Sequence, residues 1–297
     1  MADLAAERRR AVVNRVQEAV EASRIAAICA ALALEQPSIT ALPGGLANRS
    51  LRLRDARQDL VLRLAGATTP LLGADRASEY AMQGLAAAAG LAPEIMLANS
   101  EQGFIVTRYV NGRVPRRADM REPSLLERVG AWIARLHALA PPPGLAVVDF
   151  GARAAGYLEL LQTRKPRALV ADLADRLAQR RCALAPPAGV VACHHDLHHR
   201  NFVDTGVDLL VLDWEYAGSG DPAADLASCI GYHDLGPNHV DALLAGYGRD
   251  SVSLHARLEA LGWIFDCLWF GWNAVAALSG LESDPDLQER LAARLTG

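Results

Sequence analysis

The sequence predicts an α+β molecule in two lobes, a small antiparallel sheet carrying one helix and a larger, mainly helical part. Three observations predict it. Short strand-like segments crowd residues 38–109, with only one helical segment, Asp75–Ala89, among them. A polar link containing Pro115 and several arginines, Val114–Arg121, follows. Beyond it, apolar residues recur at helical spacing in segment after segment.

Residues 4–34 read as a helix, with Val12, Val16, Val20, Ile25 and Ile28 at helical spacing, ended by Pro37. Strands are expected at Ser38–Leu42, Ser50–Leu53 and Asp59–Leu64, the last two joined by the short polar Asp55–Gln58 connection. Gly90 suits the C-terminal cap of the Asp75–Ala89 helix. Two more strands, Glu94–Leu97 and Phe104–Tyr109, complete the small part. Helices are expected at Ser124–Leu139, Ala154–Thr163, Leu169–Cys182, Pro222–Ile230, Val240–Tyr247, Leu254–Leu278 and Asp286–Leu295, with short buried strands at Val190–Ala192 and Leu209–Leu212. The units expected are therefore an N-terminal helical extension (1–36), an N-lobe (37–112) and a C-lobe (113–297).

Composition narrows the class. With 51% hydrophobic and 22% charged residues, the 297-residue chain can bury a core and is not of the disordered type. Its five cysteines, Cys29, Cys182, Cys193, Cys229 and Cys267, are odd in number and lack CxxC pairing, so buried free thiols are expected. The N-terminus has no apolar run of the signal-peptide kind, and the apolar stretch Trp263–Leu278 is short for a membrane span and interrupted by Asp266 and Asn273. A cytoplasmic protein without membrane attachment is the expectation. The net charge of −4 argues against bulk nucleic-acid binding. It is unevenly spread: residues 1–189 carry +7 and residues 190–297 carry −11. That division suits a phosphate-bearing ligand on one side and a cationic one on the other, or is merely an uneven solvated surface.

The strongest motif is Cys193-His194-His195-Asp196-Leu197-His198-His199-Arg200-Asn201, followed twelve residues later by Asp213 in Val211-Leu212-Asp213-Trp214-Glu215-Tyr216. Phosphoryl transfer needs a carboxylate to orient and accept the proton of an attacking hydroxyl, and oxygen ligands to hold magnesium on the phosphates. Asp196, Asn201 and Asp213 supply these three parts, and hard oxygen donors are what magnesium prefers. His195 and His199 also have i,i+4 spacing, which raises a transition-metal site, but no nearby cysteine or further cluster completes a ligand set.

The HxDxxxxN pattern followed by Asp213-Trp-Glu-Tyr-Ala-Gly resembles the choline kinase and aminoglycoside phosphotransferase superfamily, and the run to Asp221-Pro-Ala-Ala-Asp225 is similar to choline and thiamine kinases. The resemblance implies a protein-kinase-like fold and the use of ATP and Mg2+. It makes Asp196 the catalytic base, Asn201 and Asp213 the metal ligands, and His194 and Asp225 supports of the catalytic loop. It assigns the ATP grip to the Gly44-Gly45 turn with Asn48, to Arg63 paired with Glu79 and neighboured by Arg76, and to a hinge at Thr107, Arg108 and Tyr109. Arg63 departs from the lysine of protein kinases, yet a guanidinium holds phosphates bidentately.

The acceptor side reads less sharply. Trp269 and Trp272 lie on an aromatic-rich helix and are either core or ligand contacts; indole faces bind a quaternary ammonium or thiazolium well. Trp214, Tyr232 and Asp266 are further candidates, Asp266 because a lone carboxylate sits badly in a core. Glu215 either holds the acceptor or caps a loop. A small cationic alcohol is the expected partner, choline or ethanolamine first, then thiamine, then an aminoglycoside. A non-catalytic nucleotide-binding regulator of the same fold is the reading from another class. The sequence leaves the oligomeric state open.

Overall fold

The computed structural model describes residues 19–43, 48–65, 75–145, 147–164, 167–249, 252–281 and 283–297. The expected Gly44-Gly45 turn and the first half of the N-terminal helix, residues 4–18, lie outside the described residues.

Alternation organises the small lobe. In β3 (Asp59–Ala65), Leu60, Leu62 and Leu64 are buried on one face while Val61 and Arg63 point to the other, as the two-residue period of a strand requires. The sheet runs β1-β2-β3-β5-β4 and is antiparallel throughout, with β1 Ser38–Ala41, β2 Asn48–Arg54, β4 Ile95–Asn99 and β5 Phe104–Arg108. The described part of the N-terminal helix, α1 (19–31), lays Ile25, Ile28 and Cys29 on the leucine face. That half of the expected extension is thus part of the N-lobe core.

The opposite face carries α2 (Arg76–Ala88), capped by Asp75, whose carboxylate accepts from the Ala77 amide. Its buried stripe is Glu79, Met82, Gln83 and Ala86, spaced by three and four residues. Met82 and Ala86 continue into the core of the large lobe, so α2 joins the two. After α2 the Leu91 carbonyl accepts from the Val211 amide (3.0 Å) and from the Trp132 indole (3.2 Å), both in the large lobe. A second seam pairs Arg113 and Asp204 through two backbone hydrogen bonds of 2.8 Å.

The large lobe is helical as expected: α3 (Pro123–His137), α4 (Phe150–Arg164), α5 (Ala168–Ala183), α6 (Pro222–His233), α7 (Pro237–Tyr247), α8 (Val252–Leu278) and α9 (Pro285–Thr296). The two expected strands form as β7 (Val191–Cys193) and β9 (Leu209–Val211). Three strands of two or three residues were not expected: β6 (Val147–Val148), β8 (Phe202–Asp204) and β10 (Gly218–Gly220). They are too short to show alternation and exist by pairing, β8 with β9 and β10 with both β6 and β7. All these strands flank the loops that carry the motif.

By length and composition α8 is apolar enough to cross a membrane, but it packs on α4, α6 and α9 and buries Leu258, Leu261, Ile264, Phe265 and Phe270. Four cysteines are buried thiols as expected, whereas Cys182 is exposed, because it falls on the solvent side near the end of α5.

α3 and α7 cross closely, with Gly130 facing Leu243 and Gly246 facing Glu127. A β-carbon at Gly130 would collide with the Leu243 carbonyl oxygen, and one at Gly246 with that of Glu127. Both obstacles are backbone and cannot swing aside. Gly130→Ala should therefore destabilise the protein by roughly 1–3 kcal/mol through overpacking, despite alanine's better helix propensity, as a lower denaturant midpoint with unchanged slope. Equal or greater stability would refute this account of the crossing.

Candidate active site

The motif loop is held from beneath by one buried carboxylate. Asp221 caps α6, accepting from the Ala223 amide at 3.0 Å, with Pro222 in the first turn as the sequence suggested. This places Asp225, with no solvent exposure, under residues 194 and 195. Its oxygens accept the amides of His194 (2.9 Å) and His195 (2.6 Å), and the His137 Nε2 at 3.1 Å. His137 in turn meets the Tyr247 hydroxyl at 2.9 Å. Burial alone would raise the Asp225 pKa, but the His137 hydrogen bond and the neighbouring imidazoles and amides outweigh it and hold the group at about 2.

Pulled onto Asp225, His195 adopts left-handed backbone (φ 66°), which turns the chain sharply before Asp196. The His194 ring accepts the Asp196 amide at Nδ1 (3.3 Å), so its Nε2 carries the proton and donates to the Leu212 carbonyl (3.0 Å). Burial lowers the pKa of this ring, keeping it neutral. The Leu212 amide donates to the Asn201 carbonyl at 2.8 Å. Both backbone groups of Leu212 are thus tied to the loop, and Asp213 follows in left-handed conformation (φ 58°). Expected base and expected metal ligands are thereby brought together. Asn201 Nδ2 donates to the Asp196 carbonyl (2.8 Å) and to its Oδ2 (3.0 Å), while the Tyr232 hydroxyl donates to Oδ1 at 2.6 Å. Asn201 Oδ1 accepts no protein donor among the described residues.

Across the cleft the guanidinium of Arg63 bonds the fully buried Glu79 and, at 2.5 Å, Asp213 Oδ1. The pairing of Arg63 and Glu79 is as expected. Arg76 holds the other Glu79 oxygen at 2.6 Å, and burial together with Arg63 lowers its pKa. Two further expected residues, Asn48 and Glu215, meet here. Asn48 bonds Arg76 through Oδ1 (2.9 Å) and Glu215 through Nδ2 (2.9 Å), so both ends of its amide have protein partners. Glu215 links the lobes through Asn48, with Arg76 at 4.0 Å, and caps no loop among the described residues. Burial, then the nearby Asp213, pushes its pKa up to about 7.

At the expected hinge much of the backbone is bonded within the small lobe. The amides of Arg108 and Tyr109 are used by Glu94 and Asp59, the Arg108 side chain pairs with Glu94 at 2.8 Å, and Arg52 covers the Tyr109 ring at 3.6 Å. Thr107 pairs inside the sheet with Val61 and Ile95. Among the described residues, Val110 and Asn111 take no part in the backbone network and are the next groups available.

On the acceptor side, Tyr232 meets Trp269 and Phe265 edge-on at 4.8 Å each, and the Trp272 indole donates to the Tyr216 hydroxyl at 3.0 Å. Tyr232 and Trp269 therefore form an aromatic wall beside Asp196, and Trp272, three residues on in α8, is tied to Tyr216. Trp214 does not join it. It is fully buried, donates to the Val211 carbonyl at 3.0 Å and packs on Trp132 and His194, so it is core. Asp266 does not join it either. It pairs with Arg294 at 2.5 Å in a separate pocket of about 430 Å³ among α6, α7, α8 and α9.

The histidine cluster forms no shared metal face. His195 Nδ1 donates to the Tyr216 carbonyl, while the His199 amide donates to His233 Nε2 at 3.0 Å. Burial lowers the pKa values of His195, His199 and His233 to about 4. Sequence reading missed His137, Tyr216, His233 and Arg153. Each is separated in sequence from the groups it serves, and a single helical histidine or arginine carries no motif. Tyr216 stood inside the quoted run, directly after Glu215, and was the one with a signal.

Asp225→Asn removes the charge that holds two amides and an imidazole, and should cost roughly 3–5 kcal/mol at neutral pH. The folded pKa of about 2 lies below the ordinary 3.8, so this stabilisation is present above pH 4 and fades as pH falls toward 2. Urea titrations should show the gap between wild type and variant closing over that range; a gap independent of pH would show that charge is not its cause.

Comparison with known proteins places the chain in a family. Residues 38–261 match the phosphotransferase enzyme family. Protein LicA of Haemophilus influenzae is 26% identical over 252 residues, covering 78% of this chain and 71% of that protein. A choline/ethanolamine kinase family protein from Mesorhizobium loti superposes with a TM-score of 0.74 at 26% identity, covering 88% of this chain and 87% of that one. The choline kinase LicA from Streptococcus pneumoniae superposes with a TM-score of 0.76 at 19% identity, covering 94% and 97%. With its motif loop, its cross-lobe arginine and its fold all in this arrangement, the chain belongs to the phosphotransferase enzyme family and is a phosphotransferase with an alcohol group as acceptor.

Proposed function

We propose that the protein transfers the γ-phosphoryl group of ATP to the hydroxyl of a small amine-bearing alcohol, of which choline and ethanolamine are the simplest. The observation that carries this reading is the Asp196 carboxylate, steadied by Asn201 on one oxygen and lying against an aromatic wall on the other. The acceptor oxygen would attack the γ-phosphorus, its proton passing to Asp196 as the bond to the β-phosphate breaks and ADP leaves. Tyr232 donates to the oxygen an acceptor hydroxyl would use, and so stands where that hydroxyl must enter.

Asn201 Oδ1 and the Asp213 carboxylate are hard oxygen donors and fit magnesium. The ion, when bound, neutralises phosphate charge. Arg63 and Arg76 lie on the same side, anchored by Glu79, and supply positive charge for the phosphates. The adenine would be met just beyond β5, at Val110 and Asn111. The names of the relatives, LicA and choline/ethanolamine kinase family protein, support an amine-bearing acceptor, as does the tyrosine and tryptophan wall.

A magnesium-dependent ADP-release assay across choline, ethanolamine, thiamine and kanamycin tests the reading; turnover is expected with an amino alcohol. Asp196→Ala should lower kcat by at least about 10²-fold while ATP binding persists. Undiminished turnover in that variant would remove Asp196 from the role of base. Tight ATP binding without turnover of any acceptor would instead make the protein a nucleotide-binding regulator.

A further inference from the structure

The aromatic wall has an arginine beside it as well as carboxylates. Every carboxylate near it already has protein donors. Asp196 takes Tyr232 and Asn201, Asp213 takes Arg63, Glu215 takes Asn48, and Asp266 is held by Arg294 in its separate pocket. One cation there has no hydrogen-bond or ion-pair partner among the described residues. Arg153, on the first turn of α4, lies with its guanidinium 5.3 Å from the centre of the Tyr216 ring, the same tyrosine that Trp272 bonds. It forms no ion pair among the described residues.

Burial lowers the pKa of this guanidinium, and the groups whose charge it feels include Tyr157, Tyr216, Asp196 and Glu215. It is therefore a half-buried cation within electrostatic reach of the expected base. A guanidinium has five N–H donors in a planar fork. A ring face offers it attraction but no hydrogen-bond acceptor, and leaving such a group unpaired away from water is costly. Its natural complement is a carboxylate, which the fork meets bidentately.

We propose that Arg153 is a specificity-determining residue that receives a carboxylate of the acceptor, so that the enzyme favours a zwitterionic alcohol, a hydroxylated amino acid, over the matching plain amino alcohol. This rests on reading Asp196 and the aromatic wall as the acceptor side. The ammonium then faces the wall and the hydroxyl faces Asp196, while the carboxylate turns toward α4.

Two matched pairs differ only in the carboxylate: L-serine against ethanolamine, and L-homoserine against 3-aminopropan-1-ol. Calorimetric binding and steady-state kinetics on the full chain should show the amino acid favoured in at least one pair by about tenfold or more. Arg153→Met should abolish that preference by weakening the amino acid alone, leaving the KM for ATP and for the amino alcohol within about twofold; Arg153→Lys should keep part of it. Equal or inverted preference in the wild type overturns the proposal, as does an Arg153→Met effect confined to ATP, which would turn the guanidinium toward the nucleotide. Turnover of choline or ethanolamine without binding of either amino acid overturns it and leaves the kinase reading intact. Arg153-dependent binding of an amino acid without any phosphorylation overturns both readings, because the amino acid is then a ligand and not the acceptor.

Discussion

A carboxylate shut away from water must find its hydrogen bonds within the protein, and Asp225 finds them in the two amides that begin the motif loop. The rest of the site hangs from that interaction. By drawing in the amides of His194 and His195 it imposes the left-handed turn at His195, and that turn delivers Asp196 to the cleft. His194 then spans to Leu212 and sets the distance between the loop and Asp213. No member of this chain is free to relax alone, because every donor it uses is already committed. The conformational strain at residues 195 and 213, of order 1–3 kcal/mol each, is sustained by this buried network.

The cleft has a second organisation, ionic instead of backbone-based. Glu79 carries two guanidiniums, and these reach onward to Asp213 and, through Asn48, to Glu215. One buried carboxylate could not hold two arginines in water, where screening would reduce each pair to a fraction of a kcal/mol. Inside the cleft the same contacts fix both arginines in place. The arrangement is charged on the small-lobe side and aromatic on the other, with Asp196 at the junction.

What could be read from the sequence follows the physical range of each signal. The β3 alternation is local, and it puts Arg63 on the cleft face without further information; the same holds for Glu79 on the buried stripe of α2. Asp196, Asn201 and Asp213 are close in the chain and their chemistry is distinctive, so they are legible as a set. The acceptor side depends on partners far apart in sequence. Asp266 seemed a lone carboxylate among aromatics only because Arg294, 28 residues on, lies one helix later. Trp214 sits beside a metal-type aspartate, yet its indole turns inward to Trp132. Glu215 and Asn48 are separated by 167 residues, and nothing local announces that they meet. β6, β8 and β10 are invisible for the same reason, since strands of two or three residues exist only through their neighbours.

The two backbone seams between the lobes, at Leu91 and at Arg113, both leave the small sheet beside β4 and β5, which form one margin of it. They act as a pair of pins along that margin. Rotation about the line through them is the motion they least resist, and the sheet becomes a lever whose far end is β1. With strands about 4.8 Å apart, β2 stands roughly 14 Å from the pinned margin. A swing of about 5° moves that strand by roughly 1.2 Å, enough to part the 2.9 Å bond between Asn48 and Glu215 while the pins stay made.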